Sequence, residues 1–163
     1  MALEPDSIEI AAVEELIVLV NPTGESAARQ LAAFREALPA LSADQRNDGD
    51  RLIWTLKDIV EWETGFFVDW KDTESFVQCM DVLCAGWNAT IDWGEPDAAE
   101  DKDFPERVDL PGLLQIAFTA LAAQGLTLWS WDTQGDAYGG WIARSASDGK
   151  MLDVSSRLEV HFY

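Results

Sequence analysis

Residues 126–144 read LTLWSWDTQGDAYGGWIAR, and no other stretch constrains the fold as strongly. Trp129 and Trp131 alternate with Leu128 and Ser130, which is the period of a β-strand. A second apolar run, YGGWIA, follows a polar break around Thr133 to Asp136, so the two runs read as the arms of a hairpin. Trp141 then joins Trp129 and Trp131 on one face of the sheet. Two readings of that face stand open. Aromatic residues suit the interior of a strand, so helices would cover them as core. If left uncovered, the three tryptophans would be a partner surface, because Trp and Tyr dominate interface hot spots.

The rest of the chain supplies the elements around that hairpin. Ile10, Val13, Ile17 and Val20 recur at helical spacing until Asn21-Pro22 stops them. Thr23 caps a second helix, with Ala27, Leu31, Phe34 and Leu38 on one face before Pro39. Ser42 to Gly49 is a polar linker, and a third helix starts near Asp50 with Leu52, Leu56 and Ile59 as its stripe. FFVDW at 66–70 alternates as a strand, and ATIDW at 89–93 reads as a second, short one. Between them Thr73 to Trp87 is a helix capped by Asp72. Asp109 opens a nearly all-apolar helix over 110–123, closed by Gly125. A short helix near 148–155 and a final strand at 158–162 end the pattern.

This order, ααα-βαβαββαβ, predicts one α+β domain over 1–163: a helical part at 1–62, and a mixed α/β part at 63–163. The sheet is expected to be mixed, with about five strands and helices packed on it. The helices at 73–87 and 110–123, read as crossovers, would make the strands ending at Asp69, Asp92 and Asp132 parallel.

Those strand ends carry the first candidate site. Parallel strands would bring Asp69, Asp92 and Asp132 to one sheet edge with Asp136 beside them, a carboxylate cluster suited to a divalent cation. The plainer reading is that Asp caps turns and helix starts. No other cofactor is implied.

Charge carries the second. The chain holds 30 Asp and Glu against 11 Lys and Arg, a net charge of −19. Such a surface repels nucleic-acid phosphates and anionic membranes, and attracts a basic protein partner. The connection from Gly94 to Asp109 concentrates it, with Glu95, Asp97, Glu100, Asp101, Asp103 and Glu106. That connection is either a solvated loop or a docking element. Near the N-terminus Glu9, Glu14 and Glu15 interrupt the apolar run, so neither a signal peptide nor a membrane span is expected.

Catalysis has little to stand on. His161 is the one histidine, so a Ser or Cys nucleophile has no second candidate for its base. Cys79 and Cys84 fall in one helix, on faces too far apart to pair, and read as reduced thiols of a cytoplasmic protein. No Walker loop, GxGxxG, HExxH or CxxC is present.

The segments FFVDWK (66–71) and LWSWDTQGDAYGGWI (128–142) resemble a family of uncharacterised small bacterial proteins, a domain of unknown function, over the C-terminal two thirds. The resemblance implies no activity. In its acidic, compact, Trp-rich composition the chain is also similar to the immunity proteins that neutralise bacterial toxins. The function expected is therefore a non-catalytic, acidic protein-binding domain, with a divalent-metal or small-ligand site at the Asp-rich edge as the alternative.

Overall fold

A computed structural model of the chain describes residues 7–60, 64–93 and 109–163. Most of its helices begin where the sequence offers a cap. Ser7 opens α1 (Ile8–Val20), Thr23 opens α2 (Gly24–Ala37), and Asp48 opens α4 (Gly49–Ile59) by accepting the Asp50 and Arg51 N–H groups. Asp72 caps α5 (Thr73–Gly86), and Asp109 caps α6 (Leu110–Ala122). Each of these side-chain oxygens accepts a backbone N–H that the first helical turn leaves without a partner. The linker before α4 is not wholly irregular: Ser42 and Gln45 form a capping box around the one-turn helix α3 (Ala43–Arg46). α7 (Asp148–Leu158) runs three residues beyond the expected helix.

The hairpin forms as its alternation predicts, from β2 (Leu126–Trp131) and β3 (Ala137–Arg144), with Trp129 opposite Trp141. β1 (Gly65–Asp69) lies along the other side of β3, and Phe67 stands opposite Gly139. Among the described residues this is a three-stranded, wholly antiparallel sheet in the order β1-β3-β2. The expected mixed sheet of five strands is therefore corrected.

Two expected strands account for the difference. Residues 89–93 form no strand; the Gln124 side chain binds the backbone of Thr90 on both sides, accepting its N–H at 3.1 Å and donating to its carbonyl at 2.6 Å. A glutamine amide thus satisfies the groups that a neighbouring strand would have taken. The last strand shrinks because α7 continues through Leu158. Left-handed Glu159 then turns the chain, and only Phe162 bridges to Trp131. Ser130 and Tyr163 exchange two backbone bonds of 2.7 and 2.8 Å along that edge of β2.

Helices cover both faces of the sheet. Trp129, Trp131, Trp141 and Ala143 pack with the buried stripes of α1, α4 and α7. Phe66, Val68, Leu126, Leu128 and Ile142 pack with those of α5 and α6. The alternation along each strand assigns these sets to opposite faces, so the architecture is helix, sheet, helix. On the tryptophan side a buried polar chain runs from Asn21 to Gln30 (3.0 Å) and on to Thr64 (2.6 Å), tying α1 and α2 to the start of β1. Arg157 of α7 pairs with Glu15 of α1 at the surface of the same layer.

Candidate functional site

The tryptophan face is core. Trp129, Trp131 and Trp141 are 8%, 2% and 3% exposed, so the reading that made them a partner surface is corrected: α1, α4 and α7 bury apolar faces of their own against the rings. Gly139 makes this packing possible. A Cβ there would meet Trp131 Nε1 at 2.6 Å and Phe67 Cδ2 at 3.0 Å, so the indole lies flat across the glycine towards β1. Gly140 does the same work on the opposite face, where a Cβ would meet the Trp129 carbonyl oxygen at 2.0 Å.

Beside that packed face, between the end of α4 and β1, lies a cavity of about 320 Å³. Phe67, Trp131 and Trp141 form its aromatic wall, and Lys57 and Asp58 also line it. Trp54 stands edge-on to both Phe67 (5.5 Å) and Trp131 (5.2 Å), which fixes the wall. Lys57 Nζ lies 4.6 Å from the centre of the Phe67 ring, 5.8 Å from that of Trp54 and 3.3 Å from the Asp58 carboxylate. The sequence reading missed this place. The available signals were the three-residue spacing of Trp54 and Lys57, which puts both on one helix face, and the alternation that turns Phe67 away from Phe66.

The carboxylate edge is only partly assembled. β1 and β2 both run antiparallel to β3, so Asp69 and Asp132 do reach the same end of the sheet, where the Trp70 N–H donates to the Asp136 carbonyl at 2.9 Å. Residues 89–93 form no strand, so Asp92 ends none of the three strands. Asp69 accepts the Lys71 N–H at 3.0 Å and Asp132 accepts the Gln134 N–H at 2.9 Å, each two residues along. These are turn-forming bonds. Among the described residues no three His, Cys, Asp or Glu side chains form a group able to hold a metal ion. The divalent-cation site at Asp69, Asp92, Asp132 and Asp136 is corrected on that ground.

The same end is nonetheless electrostatically crowded. Burial, and then the Asp48 and Asp132 carboxylates, raise the pKa of Asp50 above its ordinary value. Burial, followed by Tyr138 and Asp132, does the same to the Tyr163 phenol. Each group is held towards its neutral form.

The remaining candidates are dispersed. His161 is exposed and stacks on Tyr163 at 5.5 Å. Cys79 and Cys84 are free and buried in α5. Burial, reinforced by the Asp81 carboxylate, pushes the Cys84 thiol up to about 11, away from the thiolate that a nucleophile needs. Glu95, Asp97, Glu100, Asp101, Asp103 and Glu106 lie outside the described residues. No helix among the described residues is long and apolar enough to cross a membrane.

Fold and site together define an acidic α+β domain: an antiparallel sheet between two helical layers, with an aromatic cavity at one edge. The chain belongs to the family described as a domain of unknown function, DUF6630, whose family model matches residues 12–163. The match takes in the N-terminal helices as well as the C-terminal two thirds. No curated protein and no solved structure matches the chain.

Proposed function

We propose that this protein is a non-catalytic binding domain whose acidic surface takes a basic protein partner in the bacterial cytoplasm, in the manner of an immunity protein. The observation that carries the reading is the net charge of −19, with Asp69, Asp132 and Asp136 exposed together at one end of the sheet. A surface of one sign steers an oppositely charged partner and speeds encounter, and this attraction weakens as salt shortens its reach from about 10 Å at 0.1 M to about 3 Å at 1 M. Glu95, Asp97, Glu100, Asp101, Asp103 and Glu106 would give the chain a docking segment for the same partner on charge alone.

The test is capture of partners by the tagged chain from its own lysate at low and high salt, beside an equally acidic unrelated protein. A basic protein enriched over the control at low salt and reduced at high salt supports the reading; no enrichment over the control overturns it. Replacing the seven acids of 94–109 with Asn and Gln is expected to lower both capture and its salt dependence. If both stay unchanged, that segment has no docking role.

A further inference from the structure

We infer that the cavity between α4 and β1 is a receptor for one arginine or lysine side chain of the basic partner, and that Lys57 occupies its mouth until that side chain arrives. This rests on the binding-domain reading above and names the chemistry by which one part of the surface would select its partner.

Lys57 itself reports what the cavity prefers. Its ammonium, carried on a flexible four-carbon stem, lies over Phe67 at 4.6 Å and Trp54 at 5.8 Å. Both distances fall within the roughly 6 Å over which the negative face of a ring attracts a cation. Asp58 adds a carboxylate 3.3 Å from the same ammonium. A tethered cation thus marks an aromatic wall with an acid at its rim, the combination that recognises alkylammonium and guanidinium groups. Trp131 and Trp141 extend the wall inward, and the volume of about 320 Å³ accommodates a single long side chain.

The lid is weakly held. The Lys57 side chain is 32% exposed and that of Asp58 is 72% exposed; an ion pair so open to water contributes little. An incoming guanidinium stacks on the rings and binds Asp58 through two parallel N–H bonds, which a single ammonium cannot do. Lys57 then turns into solvent. An anion entering the same cavity would have only Lys57 in its favour, against the ring faces, Asp58 and the field of a chain of charge −19.

The experiment titrates the full chain with four blocked tripeptides, acetyl-Gly-X-Gly-amide with X as Arg, Lys, Gln or Glu, and follows the indole N–H resonances of Trp54, Trp131 and Trp141. The Arg and Lys peptides are expected to shift these resonances saturably, Arg more tightly, while Gln and Glu leave them in place. Lys57→Met should tighten the Arg peptide by about two- to five-fold, and Asp58→Asn and Phe67→Leu should each weaken it by about the same factor. Indifference to the Arg peptide, preference for the Glu peptide, or a Lys57→Met variant that binds the Arg peptide no better overturns the receptor. A salt-sensitive partner captured from lysate while both cationic peptides leave the indoles unmoved removes the receptor and leaves the binding domain standing. Peptides that bind while no partner is enriched do the reverse.

Discussion

On one face of the sheet Phe66, Val68, Leu126, Leu128 and Ile142 lie under α5 and α6; on the other, Phe67, Trp129, Trp131 and Trp141 lie under α1, α4 and α7. The first face is built mainly of small branched side chains, which interdigitate to fill space closely. The second is built of large rigid rings, which meet edge-on at 5.2 Å (Trp54 to Trp131) or stacked at 6.5 Å (Trp131 to Trp141). Flat rings at such angles leave gaps at their margins, and the cavity opens at one of these, where the tryptophan wall runs out at β1. The same face carries the buried Asn21–Gln30–Thr64 chain, and each side holds one buried indole N–H without a partner, Trp129 here and Trp87 on the other. The face with the greatest aromatic mass is therefore the one that borders the cavity between α4 and β1.

Adjacent glycines of β3 provide the strongest test of this contrast. An alanine at 140 would drive its Cβ to 2.0 Å from the Trp129 backbone oxygen, with Phe66 ring atoms at 3.0 Å. Backbone cannot yield, so Gly140→Ala is expected to cost about 4 kcal/mol or prevent folding. At 139 the obstacles are side chains, Trp131 and Phe67, with the cavity beside them to take up their shift. Gly139→Ala should cost about 1 to 3 kcal/mol. Urea denaturation of both variants measures the difference; equal losses would mean that the tryptophan face has no slack.

A pH experiment probes the closely packed face. Burial, with Asp81 behind it, raises the Cys84 thiol from 9.0 to about 11, so the fold retains the neutral form. Below pH 9 the thiol is protonated in folded and unfolded chains alike and has no effect. Above pH 9 the unfolded chain ionises first, and stability falls until the folded thiol ionises near 11, by on the order of 2 to 3 kcal/mol. The chain and a Cys84→Ala variant, melted across pH 8 to 11, should therefore diverge, the native sequence losing more. Parallel curves would show that water reaches the thiol.

The buried polar chain offers a smaller effect on the tryptophan side. Gln30→Ala removes the acceptor of the Asn21 amide and the donor to Thr64 together. The Thr64 hydroxyl then loses its buried donor, while the Asn21 amide keeps only its bond to the Ile17 carbonyl, at a cost of about 1 to 2 kcal/mol. Thr64→Val, which removes the acceptor of the Gln30 amide and leaves the Asn21 bond in place, distinguishes the two bonds when its melting curve is compared with that of Gln30→Ala.

What the sequence makes legible follows from how local each cause is. Thr23, Asp72 and Asp109 announce helix starts because a cap acts over three residues, and the hairpin is legible because its turn lies within it. The alternation of ATIDW at 89–93 looks equally local. However, a strand exists only with a partner, and here Gln124 takes that place. The slot of β3 between β1 and β2 is invisible for a related reason: β1 and β2 are separated by α5, α6 and the segment between them, and nothing in that stretch states which strand will sit between. Asp69 and Asp132 reach one end of the sheet because β1 and β2 both pair antiparallel with β3, an arrangement that three parallel neighbours do not describe. The cavity was missed because Lys57 meets Phe67 only through the packing of α4 on β1, a relation that neither segment encodes alone.

The end of α7 gives the smallest effect and the reverse of the Gly140 case, a position where glycine is wanted and another residue stands. Glu159 closes the helix with φ 55° and ψ 33°, in the left-handed region. A side chain there costs about 1 to 2 kcal/mol, and a carboxylate at a helix C-terminus adds about 0.3 to 1 kcal/mol at low salt. Glycine removes both, but it also widens the unfolded ensemble, which takes back about 0.4 to 1 kcal/mol. The net expectation for Glu159→Gly is a gain of about 1 kcal/mol, with Glu159→Asn giving part of it because Asn tolerates the same conformation. The gain should appear on the tryptophan side, because this turn positions Val160 and Phe162, and Phe162 packs on Trp141 at 5.4 Å. A Glu159→Gly variant that melts lower would mean that the freedom glycine adds to the unfolded chain outweighs the strain and the charge that it removes.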